Sequence, residues 1–137
     1  MNKIPLSVVI ITKNEERNMH DCLKSVADWA DEIVIVDDES TDKTVEISKS
    51  YGAKIYHRKM DNEGIHRNWA YAQAKNEWVL SLDADEMVSP ELRDEIVDTI
   101  PKTDFNAFDM PMRNYIDRKS TRLNSSHLRL SRMPSSA

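Results

Sequence analysis

Glycine is scarce in this chain of 137 residues, which contains only two. A dinucleotide-binding fingerprint needs several glycines at fixed spacing, and a phosphate-binding P-loop needs a glycine-rich turn before its lysine. Neither motif can be built here, so nucleotide phosphates would have to be bound in another way. The missing central glycine also excludes an EF-hand at the acidic stretches that begin at Asp37 and Asp83.

Cysteine and long apolar runs are equally scarce. Cys22 is the single cysteine, which excludes a disulfide or zinc framework, and its apolar position in a predicted helix favours the core. No apolar run is long enough to cross a bilayer, and residues 1–3 lead into a predicted strand rather than a signal peptide. We therefore expect a protein that is made and used in the cytoplasm.

Basic residues are unevenly distributed along the chain. The formal net charge is -5, from 19 basic and 24 acidic residues. Residues 1–117 contain all the acidic residues but only 14 basic ones, so this part carries -10. Nucleic acid binding requires Lys and Arg to neutralise phosphates, so we expect no nucleic acid partner. A ligand with phosphates would need a divalent cation between it and the aspartates.

Strands and helices are predicted to alternate along most of the chain. Strands are predicted for five short β-branched or aromatic runs, at residues 6–12, 32–36, 54–57, 78–82 and 106–112. Apolar residues at helical spacing predict a helix after each of the first four strands. Gly52 stands where a left-handed conformation would end the second helix, and Ser89 and Pro90 are start signals for the fourth. The third helix is marked by Ile65, Trp69 and Ala72. This order predicts an α/β fold with a mostly parallel sheet flanked by helices.

The stretch most informative about function is residues 77–86, an apolar strand followed by Asp83 and Asp85. In an extended chain, side chains two residues apart point the same way, so both carboxylates could address one ion. Paired carboxylates suit Mg²⁺ or Mn²⁺. Ligands in open α/β sheets bind at the carboxyl ends of strands, which favours a binding site over a solvated acidic turn.

The composition changes at about Lys119. Residues 120–137 contain six serines and no acidic residue, and this lack of pattern predicts a disordered tail over residues 118–137. The runs STRLNSSH and SRMPSSA resemble a translated sequencing adaptor, which implies that the tail is not native. The alternative is a natural, basic and disordered tail.

Three motifs occur in a fixed order: SVVIITKNEE at 7–16, VDDESTD at 36–42 and LDADE at 82–86. Together they resemble the N-terminal half of family 2 glycosyltransferases with a GT-A fold, over residues 4 to about 116. The resemblance is greatest to lipopolysaccharide-core and related glucosyltransferases. It implies a Rossmann-like nucleotide-diphospho-sugar transferase fold, truncated, in which residues 1–117 form the nucleotide-sugar-binding half.

The activity implied by this resemblance is transfer of a hexose from a nucleotide-sugar donor, commonly a UDP-sugar. The reaction would be inverting, would use Mg²⁺ or Mn²⁺, and would act on a glycan or a lipopolysaccharide-type, lipid-linked acceptor at the inner membrane face. The family's second half normally brings the catalytic base, and no residue of this chain can be assigned to that role. We therefore expect a donor-binding chain that is inactive alone.

The resemblance also implies roles for residues around the base. The base and ribose would be held by three residues after the first strand: Thr12, Asn14 and Glu15. Asp38 would accept a hydrogen bond from the uracil ring, because planar base edges need directional partners. Two positions depart from the family pattern, since Lys13 replaces a common aromatic residue and Glu39 replaces a small one. Contacts around the base are expected to differ accordingly.

Three further residues are assigned to the sugar and diphosphate by the same resemblance. Asp83 would approach the ribose hydroxyls, and Asp85 would bind the metal. Arg67 would lie near the base and diphosphate, with an exposed helix charge paired with Glu63 as an equally supported alternative.

Two other classes of protein remain open at this point. Haloacid-dehalogenase phosphohydrolases also place two aspartates after a strand, the first as nucleophile and the second as acid/base. Here the pair follows the fourth predicted strand rather than the first, and Met87 replaces the expected Thr or Val. A non-catalytic receiver-like module is suggested by the acidic cluster at residues 35–39, but the order of its strands does not match.

Overall fold

The computed structural model describes residues 3–114 and 124–133. Its strands are β1 (Ile4–Thr12), β2 (Ala30–Asp37), β3 (Lys54–His57), β4 (Trp78–Ser81), β5 (Ala107–Asn114) and β6 (Asn124–Arg132). Its helices are α1 (Glu16–Ala27), α2 (Thr44–Ser50), α3 (Glu63–Ala72) and α4 (Pro90–Thr99). The first nine elements follow the predicted order, and β6 is an addition.

The described strands form one sheet in the order β3-β2-β1-β4-β6-β5. β1 pairs in parallel with β2 and β4, and β2 pairs in parallel with β3. β6 runs antiparallel to both β4 and β5. The predicted α/β fold with a mostly parallel sheet flanked by helices is therefore confirmed. The carboxyl ends of β2, β1 and β4 lie side by side along one edge of the sheet.

The parallel strands are covered on both faces. On one face, Leu6, Val8 and Ile10 of β1 pack in a cluster that includes residues of α1 and α4. On the other face, Val9 packs with Val34, Val79 and Ala70, the last of which lies in α3. Two-sided cover explains why β1 is apolar without alternation. Full burial of each large aliphatic side chain contributes about 1.5–3 kcal/mol.

The helix ends largely follow their local sequence signals. Ser89 caps α4, since its Oγ accepts a hydrogen bond from Leu92 N at 3.1 Å. Asp42 lies before α2, and its Oδ1 accepts a hydrogen bond from Thr44 N at 2.9 Å. Gly52 follows α2 with a φ of 77°, the left-handed conformation predicted for it. In the part of the chain that the structure describes, no helix combines the length and apolar character needed to span a bilayer.

The inward face of α3 includes a polar residue. Ile65 is 56% exposed and Ala72 is also exposed, whereas His66 and Ala70 are fully buried. Of the three residues that marked this helix, Trp69 packs against the cluster that contains Val9 and Ala70, so helical spacing located the helix but not its whole buried face. His66 is held inside by a hydrogen bond from Arg58 Nη1 to its Nδ1 at 2.8 Å. Pairing of this kind cannot be read from helical spacing.

The tail also differs from the expected disorder where the structure describes it. The backbone of residues 124–132 forms β6, which pairs with β4 from Trp78↔Arg132 to Ser81↔Arg129. Leu130 is fully buried in the main core, and the Arg132 guanidinium lies 4.8 Å from the centre of the Trp78 ring. The physical reason is that β4 would otherwise present an unpaired edge. The predicted boundary at residue 117 lies outside the described residues.

Candidate functional site

The predicted site residues lie at the carboxyl edge of the parallel strands. β1 ends at Thr12, β2 at Asp37 and β4 at Ser81. The segments that follow these strands stay close together, since Asp38 N donates to Thr12 O at 2.9 Å and Leu82 N donates to Val9 O at 3.1 Å. Ligands of open α/β sheets bind at an edge of this type.

Thr12 is buried, and its hydroxyl is already engaged. Its Oγ1 donates to Asp37 Oδ1 at 2.7 Å. Ser40 donates its hydroxyl to the same Oδ1 at 2.6 Å and its backbone N–H to Oδ2 at 2.9 Å. Asp37, which is 1% exposed, therefore joins the end of β1 to the segment after β2. Thr12 shapes the site through this carboxylate, which was missed as a key residue in the sequence.

Asn14 and Glu15 connect the same two segments. Asn14 has a φ of 52°, a conformation that Asn adopts more readily than most residues. Its Oδ1 accepts from Thr41 N at 2.8 Å, and its own N–H donates to Ser40 Oγ at 2.8 Å. Glu15 N donates to Thr44 Oγ1 at 2.8 Å. The backbone beside β1 and β2 is thus fixed without any ligand.

Asp38 follows Asp37 but has a different set of partners. It is 8% exposed, and its Oδ1 accepts a hydrogen bond from Met60 N at 3.2 Å. Lys13 Nζ lies 3.8 Å from Asp38 Oδ2, so the first departure from the family pattern places a cation beside this carboxylate. The second departure, Glu39, has a φ of 52°, which a glycine adopts without steric penalty.

Arg67 contacts Glu63, the partner named in the alternative to a ligand-binding role, and it also contacts Asp83. Its Nη2 lies 3.3 Å from Glu63 Oε1 in the same helix and 3.7 Å from Asp83 Oδ1 after β4. The Arg67 side chain is 35% exposed. Ion pairs this open to solvent are weak. The guanidinium can therefore exchange these carboxylates for a phosphate group of a ligand.

Asp83 and Asp85 lie in a turn, so the expected extended geometry is wrong. β4 ends at Ser81. Glu86 N donates to Asp83 O at 2.9 Å, and Asp83 N donates to Glu86 Oε1 at 2.9 Å. The turn nevertheless exposes both aspartates, whereas Ala84 and Glu86 are buried. Glu86 fixes the turn with its carboxylate.

The turn carries a concentration of negative charge. Cys22 of α1 is buried, as predicted, and its Sγ donates to Asp83 O at 3.7 Å. Burial raises the pKa of the Cys22 thiol, and the charges of Glu86, Asp85, Asp83 and Glu15 raise it further. The thiol therefore stays protonated at neutral pH. The same four carboxylates give this part of the molecule a negative charge.

A divalent cation fits the chemistry of this turn. Exposed carboxylate oxygens such as those of Asp83 and Asp85 are the ligands that Mg²⁺ and Mn²⁺ prefer. Among residues 3–114 and 124–133, no three His, Cys, Asp or Glu side chains are arranged to hold a metal ion by themselves. Mg²⁺ is typically bound by one or two carboxylates together with substrate phosphates. The residues therefore fit a cation that binds together with a phosphate ligand.

The two groups of predicted residues are connected through α3 and the segment before it. Arg67 lies in α3, and Asp38 accepts a hydrogen bond from Met60 N in the segment that leads into this helix. His66, next to Arg67 in α3, is completely buried. Asp37 and Glu86 could have been found from the sequence, because each stands beside a predicted site residue, Asp38 or Asp85, in an acidic motif. His66 gave no such signal.

The sheet order and the acidic turn after β4 define a GT-A glycosyltransferase fold. The crystal structure of Staphylococcus aureus TarS matches with a TM-score of 0.69 and 27% identity, over 87% of this chain and 39% of that one. Glucosyl-3-phosphoglycerate synthase from Mycobacterium tuberculosis has the same fold, with a TM-score of 0.63 and 20% identity over 74% of this chain and 42% of that one.

The chain belongs to glycosyltransferase family 2, since the model of the family described as "Glycosyl transferase family 2" matches residues 7–136. A Rickettsia bellii protein described as an uncharacterized glycosyltransferase is 45% identical over 91 residues, which are 66% of this chain and 31% of that protein. The Bacillus subtilis glycosyltransferase SunS is 32% identical over 127 residues, 90% of this chain and 30% of SunS. The chain thus spans about a third of the length of these relatives.

Family membership decides against the two alternatives from other classes. A haloacid-dehalogenase hydrolase and a receiver-like module both require their acidic residues at the end of the first strand. Here the acidic turn follows β4, and the family match includes all three of the motifs described above, at residues 7–16, 36–42 and 82–86.

Proposed function

We propose that this chain is the donor-binding half of an inverting, metal-dependent glycosyltransferase that transfers a hexose from a UDP-sugar. The observation that carries the proposal is the ion pair of 3.7 Å between Arg67 and Asp83, which brings a guanidinium to the acidic turn at the carboxyl edge of the sheet. TarS, at 27% identity and a TM-score of 0.68, was crystallised in complex with UDP-GlcNAc. That complex supports the choice of a UDP-sugar as donor.

The base and ribose would bind where β1 and β2 end. In this proposal Asp38 accepts the N–H of the uracil ring, because its carboxylate retains acceptor capacity beside the single backbone bond from Met60. Thr12, Asn14 and Glu15 form the adjoining wall. It is held by the hydroxyl of Thr12, which donates to Asp37, and by the backbone N–H groups of Asn14 and Glu15, which donate to Ser40 and Thr44. A wall fixed in advance loses little conformational entropy when the ligand binds.

The diphosphate would bind between α3 and the turn after β4. Arg67 would leave Glu63 and Asp83 for a phosphate oxygen, and Asp83 would then be available to the ribose hydroxyls. Asp85 would hold Mg²⁺ or Mn²⁺ as its protein ligand. When bound, the cation neutralises the charge that develops on the departing nucleoside diphosphate.

The acceptor in this proposal is a glycan or a lipopolysaccharide-type, lipid-linked sugar at the cytoplasmic face of the inner membrane. The charge of -10 on residues 1–117 disfavours nucleic acid as a partner. No residue of this chain is assigned as the catalytic base. Since the chain spans 31% of its Rickettsia relative, we propose that the rest of such a protein supplies the base and the acceptor site, and that this chain alone transfers nothing.

The test is thermal stabilisation of the full chain by UDP, GDP, CDP and ADP, each with and without Mn²⁺. A ligand that binds only the folded state stabilises it by about 2.7 kcal/mol at a hundredfold excess over its Kd. UDP with Mn²⁺ is expected to raise the melting temperature, and Asp85→Asn is expected to abolish the Mn²⁺-dependent part. Asp94→Asn, which alters an exposed carboxylate of α4, is the matched control and is expected to behave as the unmodified chain.

A folded chain that is indifferent to every nucleotide would sink the proposal. Stabilisation by UDP that persists without Mn²⁺ and in Asp85→Asn would retain the donor but remove the metal. Preference for another nucleotide would retain a nucleotide site and reject the uracil contact of Asp38.

A further inference from the structure

His66 of α3 is a buried titratable residue for which the proposed donor site has no role. It is fully buried, and its Nδ1 accepts a hydrogen bond from Arg58 Nη1 at 2.8 Å. Since arginine only donates, the ring proton is placed on Nε2. Among the described residues, Nε2 has no hydrogen-bond partner. A buried N–H without a partner is unfavourable. The feature that favours histidine over an apolar ring at this position is therefore the hydrogen-bond acceptor at Nδ1.

Arg58 lies at the start of the segment 58–62, which joins β3 to α3. Its backbone N–H donates to Asp37 O at 3.0 Å. Its Nη1, the atom that binds His66, also donates to Asp61 Oδ1 at 3.2 Å. The guanidinium lies 5.5 Å from the centre of the Trp69 ring. His66 therefore helps to fix a residue whose backbone is bonded to β2 and whose side chain binds Asp61, later in the same segment.

The same segment supports the carboxylate of Asp38. Met60 lies two residues after Arg58, and its N–H donates to Asp38 Oδ1 at 3.2 Å. At the far end, Asn62 caps α3 by accepting from Ile65 N at 3.2 Å. Both ends of the segment are anchored, and the Arg58–His66 bond restrains the part that reaches Asp38.

We propose that His66 is a positioning residue, which holds segment 58–62 through Arg58 so that the Met60 N–H orients the carboxylate of Asp38. For the role of Asp38 in donor binding, this inference rests on the proposed function. The contacts from His66 to Asp38 do not depend on it. His66 acts through the segment and touches neither donor nor metal.

This arrangement requires a neutral His66. Burial and the charges of Arg58 and Arg67 lower its pKa below the ordinary 6.5, against a raising effect of Asp38 and Asp61. Protonation would remove the acceptor and place a second cation beside Arg58. Because the folded-state pKa is the lower one, the unfolded chain binds the proton first as the pH falls. The support from His66 is therefore present above pH 6.5 and is lost as the pH falls through the folded-state value.

The test compares three variants of the full chain. His66→Phe keeps a ring, removes the unpartnered Nε2–H and deletes the acceptor. His66→Gln keeps an acceptor oxygen near the position of Nδ1 but cannot titrate. His57→Phe changes the exposed histidine at the end of β3 and is the matched control. Melting temperatures establish that each variant is folded.

The first readout is hydrogen exchange of the Met60 amide at pH 7, which needs no ligand. Loss of a hydrogen bond to a charged group corresponds to exchange faster by about tenfold or more in His66→Phe. His66→Gln and His57→Phe are expected to exchange as the unmodified chain does. Unchanged Met60 exchange in folded His66→Phe would overturn the inference. If His66→Phe does not fold, His66→Gln decides the question. After correction for the intrinsic pH dependence of amide exchange, Met60 of the unmodified chain should exchange faster below pH 6.5, and Met60 of His66→Gln should not.

The second readout is the dissociation constant of UDP with Mn²⁺. His66→Phe is expected to raise it by about tenfold, and His66→Gln is expected to restore it and to remove its increase at acidic pH. Faster Met60 exchange without any UDP binding by the unmodified chain would reject the proposed function and leave the positioning of Asp38 standing. Equal UDP affinity in all variants, despite faster exchange, would overturn the link to the donor.

Discussion

At the amino end of the parallel strands, Glu32 is 5% exposed, whereas at the carboxyl end Asp83 and Asp85 are open to solvent. Glu32 Oε1 accepts from Ser7 Oγ at 2.7 Å and from Lys75 N at 2.8 Å. Lys54 Nζ lies 2.7 Å from Glu32 Oε2. The carboxylate of Glu32 thereby connects β2 to β1, to β3 and to the segment before β4.

The difference separates carboxylates that hold the fold from carboxylates that can receive a ligand. Burial raises the pKa of Glu32, but the partners Lys54, Lys75 and Ser7 outweigh burial and leave it below the ordinary 4.5. The stabilisation from Glu32 is therefore present above pH 4.5 and is lost as the pH falls through the folded-state value. Asp83 and Asp85 have few protein partners and keep acceptor capacity for a cation or a hydroxyl.

Replacement of Glu32 should give the largest loss of stability. Glu32→Ala leaves Lys75 N–H without its partner and breaks the ion pair with Lys54, so the free energy of unfolding is expected to fall by about 3 kcal/mol. Urea denaturation measures this loss. Asp83→Ala is the comparison at the other end of the sheet and should stay within about 0.5 kcal/mol. Equal losses of stability in Glu32→Ala and Asp83→Ala would show that carboxylates at the two ends of the sheet contribute equally to the fold.

The neighbours Asp37 and Asp38 repeat the comparison within two residues. Asp37→Ala removes the acceptor for Thr12 and for both donors of Ser40 and should lower the free energy of unfolding by about 2 kcal/mol. Asp38→Ala should cost less, about 1.5 kcal/mol, because it removes one backbone hydrogen bond to a charged group and a solvent-exposed ion pair with Lys13. Denaturation and UDP titration together test this point. Asp38→Ala is expected to lose UDP binding while it remains folded. If instead Asp37→Ala loses UDP binding with little loss of stability and Asp38→Ala is the more destabilised, the structural and binding roles of the two residues are exchanged.

Glu39→Gly should give the smallest effect and the opposite sign. A φ of 52° is unfavourable for Glu but not for Gly, so the free energy of unfolding should rise by about 0.5–1 kcal/mol after the greater entropy of Gly in the unfolded chain is included. Thermal unfolding measures the gain. Asn14→Gly has the same φ and is the control, since it also loses the bond from Thr41. A loss of stability in Glu39→Gly would mean that its side chain, rather than its backbone, matters.

Much of the fold follows from local patterns in the sequence. The apolar runs predicted β1 to β5, and the serine, proline and glycine signals predicted the start of α4 and the end of α2. The position of the acidic motif after β4 was predicted as well, because a strand and the residues that follow it are contiguous in the chain. The predicted fold class is confirmed for these reasons.

The remaining features depend on partners that are distant in sequence. Helical spacing located α3 but not its buried His66, because the partner of this residue is Arg58 of another segment. The composition of the tail predicted disorder, whereas residues 124–132 form β6 and pair with β4. Composition carries no information about an unpaired strand edge elsewhere in the fold.

The sequence by itself determined the order of the first nine strands and helices, the family, and the edge of the sheet at which the acidic motifs lie. Only the tertiary structure decided which carboxylates are engaged and which are open. Asp37 is bound by Thr12 across 25 positions, and the Asp83 turn contacts Cys22 across 61. Periodicity and capping are properties of neighbouring residues, whereas the burial and pairing of a charge depend on every segment that packs against it.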